Sequence, residues 1–154
     1  MINNQHSLSN IIGTYGAWGC LAENADDAIA VYNICQLDRF EISLDEIIDM
    51  IRKVHGFRLR GWLGTKFFAA QKVLYRLDFD VHFQGRWESM GQIIQHRYFY
   101  IFYKDDNWGR RCQAGWLLSH NRFVLFYTNH IYDSIEQFRE FEKVSGPIWL
   151  FTVD

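Results

Sequence analysis

The chain has 154 residues, of which 49% are apolar and 18% aromatic, with a single proline. This length and composition predict one globular domain spanning residues 1–154 and exclude a disordered protein. The formal net charge of −2 argues against a broad nucleic-acid-binding surface, so we expect no nucleic-acid partner. No apolar run approaches the roughly 20 residues that cross a bilayer, and the amino terminus lacks the basic and apolar regions of a secretory signal.

The first half of the chain has the pattern of three helices. Residues 13–19 form a glycine-rich turn that leads into a predicted helix over Cys20–Ile34. Ser43 and Glu46 have the spacing of a capping box, which predicts the start of a second helix. Thr65 is the predicted cap of a third helix.

The second half has the pattern of a sheet. Alternation over residues 79–83 predicts a strand that ends at Gly85, and a short helix is predicted over Met90–His96. The predicted elements that follow are strands over Tyr98–Tyr103, Gln113–Ser119 and Arg122–Thr128, the last two joined by the turn His120-Asn121, a helix from Ser134 with Gln137 as its capping partner, and a strand over Ile148–Val153. Helices followed by an antiparallel sheet predict an α+β fold.

Three cysteines occur, and their positions predict different roles. Cys20 lies at the first turn of the first helix, where unpaired N–H groups and the helix dipole favour a thiolate. Cys35 lies in an apolar helical stretch and is predicted to be buried. With Cys112, the three form no CxxC pair, and the six histidines show no i,i+4 pair, so we expect neither a metal nor another cofactor.

The segment Ile12–Gly16, the pair Gly19-Cys20 at a helix start and the later Ser134–Phe138 helix resemble papain-like cysteine peptidases. Within them, the chain is most similar to the double-glycine-leader (bacteriocin-processing) peptidases and their phage relatives. The resemblance implies a papain-like fold in which a helical N-terminal half packs on a C-terminal antiparallel sheet. It also implies a peptide or protein partner and, through the phage relatives, a cytoplasmic or virion-associated location.

The resemblance assigns roles to particular residues. Cys20 takes the nucleophile position, Gln5 the oxyanion-hole glutamine and Asn129 the residue that orients the catalytic histidine. That histidine should open the strand that begins at Gln113. If His120-Asn121 is a two-residue turn, antiparallel pairing places Gln113 opposite Thr128, beside Asn129. Glutamine does not titrate, so the general base is missing from this position.

Other histidines offer alternatives. His130 is adjacent to Asn129, but successive side chains of a strand point to opposite faces. His120 lies at the hairpin tip, roughly 20 Å from the expected site at strand rise. His96 precedes a neighbouring strand, and we do not expect it at the site.

Two functions follow from these observations. The first is a degenerate cysteine-peptidase-like domain, phage-encoded or virion-associated, that acts in binding or assembly of a peptide or protein partner. The carboxylates of Glu23, Asp26 and Asp27 support it, because like charge near Cys20 would raise the thiol pKa. The alternative is an active cysteine endopeptidase or peptidoglycan amide hydrolase that uses Cys20 with His130.

Overall fold

The described part of the chain divides into a helical unit and a sheet unit. The computed structural model describes residues 26–56, 66–106, 110–120, 122–126 and 130–154. The division between the two units falls at Asp78 and Phe79. The single domain expected from the length stays a prediction. Within the described residues, no helix is long and apolar enough to cross a membrane.

The helical unit contains three α-helices among its described residues: α1 Asp26–Leu37, α2 Leu44–Lys53 and α3 Ala69–Arg76. Each helix contacts the other two. Because α1 is packed from two sides, most of its side chains are buried, including the thiol of Cys35, as predicted. The first helix is thus confirmed from Asp26 onward, while Cys20 lies outside the described residues. Thr65 as the cap of the third helix was wrong, because α3 begins at Ala69 and its N-cap residue is Phe68.

The start of α2 confirms the predicted capping box. The Ser43 hydroxyl accepts a hydrogen bond from the Glu46 N–H at 3.2 Å, and the Glu46 carboxylate accepts one from the Ser43 N–H at 2.8 Å. Two of the N–H groups that a helix leaves without partners are thereby satisfied. The helix then buries Ile47, Ile48 and Ile51 on one face.

The sheet unit contains six strands, one α-helix and one 3₁₀ turn among its described residues. The strand order is β1-β6-β2-β3-β4-β5 and every pair is antiparallel. The elements are β1 Val81–Arg86, a 3₁₀ turn Met90–Gln92, β2 Tyr98–Asp105, β3 Arg110–Ser119, β4 Arg122–Leu125, β5 Ile131–Tyr132, α4 Ile135–Phe141 and β6 Val144–Val153. The α+β class predicted from the sequence is confirmed.

One face of the sheet packs against α4 through aromatic rings. Phe138 of α4 is fully buried, and its ring centroid lies 5.2 Å from Tyr103 and 5.3 Å from Tyr132. Trp87 and Phe123 belong to the same cluster, with centroids 5.0 Å apart. Edge-to-face pairs of this kind stabilise a core beyond the area they bury.

The predicted end of β1 was wrong. Gly85 lies inside the strand, at a β-bulge between Phe83 and Gly85 in the pairing with β6. Its φ of +81° is a conformation that glycine adopts without steric cost, so the strand bends and continues to Arg86.

Two further boundaries differ from the prediction. The expected helix over Met90–His96 is a 3₁₀ turn of three residues followed by turns. The last strand begins at Val144 rather than Ile148, because Gly146 takes a φ of +82° and lets the chain stay paired with β2.

The hairpin of β3 and β4 is present, but its register differs by one residue from the prediction. Ser119 pairs with Arg122 as expected, whereas Gly115 pairs with Leu125 instead of Phe126. A bulge between Leu117 and Ser119 causes the shift. The predicted pairing of Gln113 with Thr128 assumed a hairpin without this bulge. Thr128 lies outside the described residues.

Candidate functional site

The structure describes two of the five residues predicted for the site. Cys20, Gln5 and Asn129 lie outside the described residues, so their roles stay predictions. Gln113 and His130 are described, and both lie in the sheet unit.

Gln113 is a buried part of the sheet core. Its side chain is on β3, opposite Ile101 of β2, and 4% of the residue is exposed. Its Nε2 donates a hydrogen bond to the Tyr103 hydroxyl at 2.7 Å, and its Oε1 has no hydrogen-bond partner among the described residues. An uncharged amide in this setting can bind and orient, but it cannot take a proton from a thiol.

A polar chain continues from Gln113 to the end of α4. The Tyr103 hydroxyl lies 3.5 Å from one carboxylate oxygen of Glu142, and the Tyr132 hydroxyl donates to the other at 2.7 Å. Glu142 is the C-terminal cap residue of α4. We refer to Gln113, Tyr103, Glu142 and Tyr132 as the buried polar chain. It fastens the end of α4 to the sheet.

His130 lies beside this chain in an aromatic stack. Its ring centroid is 4.4 Å from that of Phe141, with the planes 10° apart, and 4.8 Å from that of Tyr132. The residue is half-buried. These contacts hold the imidazole against α4, where packing accounts for its position.

A different histidine has the environment of a general base. His96 Nδ1 lies 2.6 Å from an Asp154 carboxylate oxygen, and the other oxygen accepts the Arg97 backbone N–H at 2.9 Å. The side chains of His96 and Asp154 are 22% and 40% exposed. Within the described residues, Nε2 of His96 has no hydrogen-bond partner.

Strand pairing brings the two residues together although 58 positions separate them in the sequence. Tyr98, at the start of β2, pairs with Val153, at the end of β6. His96 precedes that start and Asp154 follows that end, so antiparallel pairing puts them side by side. A hydrogen bond from the His96 N–H to the Ile93 carbonyl at 3.1 Å fixes the backbone of the histidine.

The electrostatics of Asp154 favour its ionised form. Partial burial raises the pKa of this carboxyl, but the hydrogen bond from His96, the hydrogen bond from the Arg97 N–H and the nearby imidazoles lower it by more. The pKa of Asp154 therefore lies below its ordinary value, and the group is an anion at neutral pH. The imidazole of His82 contributes to this field and itself lies 3.1 Å from Asp80.

A carboxylate on Nδ1 determines what the other ring nitrogen can do. When Nδ1–H donates to the Asp154 anion, the lone pair is on Nε2, which can accept a proton. The carboxylate also stabilises the imidazolium that results. This tautomer is the one that a thiol nucleophile needs from its base.

Sequence reasoning applied the family pattern to β3 and set His96 aside, although His96 also precedes a strand. The pattern asks for a strand that opens with a histidine, and β2 begins two residues after His96. The sequence does show a histidine just before a predicted strand, His96 before Tyr98, whereas the prediction rested on Gln113 at the start of another strand. The partner on β6 could not be found from local patterns, because it depends on which strands become neighbours.

The described residues contain no group of three or more histidine, cysteine, aspartate or glutamate side chains arranged to hold a metal ion. The thiol of Cys35 is desolvated, and burial raises its pKa to about 12. Cys112 is also buried, with 5% of the residue exposed. Neither thiol has the accessible, charge-stabilised setting of a nucleophile.

Comparison with known proteins identifies the fold. The structure is similar to the peptidase domain of Streptococcus ComA, a bifunctional ABC transporter involved in a quorum-sensing pathway, with a TM-score of 0.59 and 9% identity over 84% of this chain and 91% of that one. It also matches the Pseudomonas avirulence protein AvrPphB, with a TM-score of 0.40 and 12% identity over 87% and 91%. No protein-family model and no curated protein matches the sequence. The chain has the fold of the papain-like cysteine peptidases.

Proposed function

We propose that the chain is a cysteine peptidase that cleaves a peptide bond with Cys20 as nucleophile and His96, oriented by Asp154, as general base. The observation that carries the proposal is the 2.6 Å contact between His96 Nδ1 and the Asp154 carboxylate. On this proposal, His96 is the proton acceptor that the sequence was expected to lack.

The position of His96 supports this assignment. In the papain-like pattern the catalytic histidine opens a strand after the helical half, and β2 is the strand that His96 precedes. The pattern then puts an asparagine or aspartate at the end of the next strand. Phe99 pairs with Gly115, so continuing the register brings Leu117 and Leu118 of β3 to the level of His96. Neither can orient an imidazole.

The carboxylate in this chain comes from the other neighbour of β2. Asp154 follows β6, which pairs with the opposite edge of β2. Both neighbouring strands are antiparallel to β2, so the end of β6, like the end of β3, lies at the level of the start of β2. The end of β3 lacks the asparagine or aspartate of the family pattern, and in this proposal Asp154, after β6, takes its place.

The proposed reaction has two steps. Nε2 of His96 takes the proton of the Cys20 thiol, the sulfur attacks the carbonyl carbon, and the imidazolium returns the proton to the leaving amine. Water then adds to the thioester carbon with its proton passing to Nε2, and the carboxylic acid leaves as the thiol re-forms. The Gln5 side-chain amide would donate to the negative oxygen that develops in each step.

The competing function is the degenerate, binding-only domain. The uncharged Gln113 on β3 and the carboxylates of Asp26 and Asp27 in the first turn of α1 favour it. On that hypothesis the thiol of Cys20 behaves as an ordinary cysteine. The two functions predict different pH profiles for this thiol.

The deciding experiment is the rate of Cys20 alkylation by iodoacetamide between pH 5 and 9, followed by mass spectrometry. With a His96 partner, the thiolate persists at pH 6, and labelling there falls by about tenfold or more in His96→Ala. Cys35 and Cys112 are internal references for unreactive buried thiols. Cleavage of a double-glycine leader peptide, lost in Cys20→Ala, measures the reaction itself.

His130→Ala is the matched control, since it removes an imidazole from the same sheet unit. We expect it to leave the labelling profile unchanged. Labelling that rises only through the ordinary thiol range near pH 8.5 and is insensitive to His96 would establish the binding-only function. Sensitivity to His130 alone would restore the dyad of Cys20 with His130.

A further inference from the structure

We infer that a cationic cleft in the helical unit binds an acidic segment of a peptide. The cleft has a volume of about 360 Å³ and lies between the end of α2 and one face of α3. Its polar lining consists of Lys53, His55, Lys72, Tyr75 and Arg76. We call it the basic cleft.

The sequence places these groups together by helix periodicity and one turn. Lys72, Tyr75 and Arg76 lie three and four residues apart, so they share one face of α3. Lys53 ends α2. His55 follows in a turn with a φ of +52°, a left-handed conformation that histidine adopts more readily than most residues.

The described residues do not balance the charges of the basic cleft. No carboxylate lines it, and none of its three permanent cations forms an ion pair in the part of the chain that the structure describes. Three cations elsewhere in the described residues do form ion pairs with carboxylates: Arg52 with Asp49, Arg111 with Asp105, and Arg122 with Asp133.

Three cations in one open cleft raise the local concentration of anions. Lys72 and Arg76, four residues apart on a helix, repel each other without a counter-charge. An anionic ligand would remove that repulsion. The lining therefore fits a ligand that carries several negative charges close together.

An acidic peptide fits these observations better than a nucleic acid. Single-stranded nucleic acids are held by successive aromatic platforms, whereas the described lining offers the Tyr75 ring and the His55 imidazole alone. Taking a peptide as the occupant rests on the proposed function, and it makes the basic cleft a determinant of which peptides are bound.

Binding is measured with the Cys20→Ala full chain, so that no peptide is cleaved. Two fluorescent decapeptides are compared by anisotropy, one with four glutamates and one with glutamines in their place. We expect the acidic peptide to bind at least about tenfold more tightly at low salt and to lose that advantage in high salt. The double variant Lys72→Glu, Arg76→Glu should abolish the difference.

The double variant Arg86→Glu, Arg110→Glu is the matched control. Both residues are exposed on the sheet unit, and the net-charge change is the same. We expect it to keep at least half of the discrimination. Equal binding of the two peptides, equal losses in both double variants, or tighter binding of a single-stranded oligonucleotide would each overturn the inference.

These outcomes are separate from those that test catalysis. The binding assay uses the Cys20→Ala chain, which lacks the proposed nucleophile. A failure to bind the acidic peptide therefore says nothing about the labelling profile of Cys20. Conversely, a thiol insensitive to His96 would remove the catalytic proposal while the basic cleft could still select acidic peptides. Circular dichroism of each double variant confirms that loss of binding is not loss of folding.

Discussion

The two ends of β2 carry polar groups in opposite settings. At its start, the His96 imidazole contacts the Asp154 carboxylate, and both side chains are partly exposed. Near its other end, Tyr103 joins Gln113 and Glu142 in the buried polar chain. Seven residues, or about 23 Å at strand rise, separate His96 from Tyr103.

The comparison teaches which polar groups stabilise the fold and which are available for chemistry. The Gln113 amide can be buried because it donates to the Tyr103 hydroxyl. The Tyr103 and Tyr132 hydroxyls contact the Glu142 carboxylate, and these contacts fix the position of α4. Among the described residues, the pair at the start of β2 leaves Nε2 of His96 without a hydrogen-bond partner. Substitutions at the two ends should therefore affect different measurements.

The largest effect is expected from His96→Ala. If His96 is the general base, as proposed, its loss should lower kcat/KM for a double-glycine peptide by about 10²–10⁴-fold. The free energy of unfolding should change by less than about 1 kcal/mol, because a partly exposed pair contributes little. Peptide cleavage and urea denaturation of the same variant check both statements.

His82→Ala is the control for this prediction. It removes the neighbouring imidazole, which is paired with Asp80 and more than half exposed. We expect its kcat/KM to stay within about threefold of the original. Equal losses in the two variants would mean that the whole charge cluster, rather than His96, supports activity.

The second-largest effect is expected from Phe138→Ala, and it concerns the free energy of unfolding. The ring is fully buried and packs on Tyr103, Tyr132 and Trp87, so its loss leaves a cavity under α4. We expect destabilisation of about 3–5 kcal/mol by urea denaturation. Phe138→Leu should cost less and remain folded, with the alkylation profile of Cys20 unchanged. A changed profile in that variant would mean that the two ends are coupled.

The sequence predicted the features that local interactions determine. Ser43 and Ser134 both accept the N–H three residues on, as their spacing indicated, at 3.2 and 3.0 Å. The reciprocal contact at Ser134 is displaced by one residue, because Gln137 accepts the N–H of Asp133 instead. Such contacts lie within one helical turn, so a short sequence window contains all of the information.

Sequence-based prediction was less successful where the structure depends on pairing between segments that are far apart in the chain. The bulge after Leu117 changes the register of a hairpin that turn chemistry alone predicted without it. The pairing of β6 with β2 brings Asp154 to His96, and no window of a few residues contains both. The placement of Gln113 or a neighbour at the position of the family histidine also depended on an assumed strand pairing, and it stays a prediction.

A smaller effect is expected from Gln113→Leu. The change removes a hydrogen bond to Tyr103, but it also removes a buried oxygen that has no partner among the described residues. These contributions oppose each other, so the free energy of unfolding should change by less than about 1 kcal/mol. Gln113→Glu should be clearly less stable at neutral pH, because it buries a charge. Loss of peptide cleavage in the folded Gln113→Leu protein would contradict a purely structural role.

The smallest effect concerns pH. Asp154 should make the free energy of unfolding depend on pH in the acid range. Its pKa is lowered in the folded protein, so its contribution is complete above the ordinary carboxyl pKa of about 3.9 and is lost as the pH falls through the lower folded value. Because the side chain is 40% exposed, the contribution should be below about 1 kcal/mol. Urea denaturation of the original protein and Asp154→Asn should differ by this amount at pH 5 and converge below pH 3. A difference that grows on acidification would mean that Asp154 is protonated in the folded protein, which would remove the anion from His96.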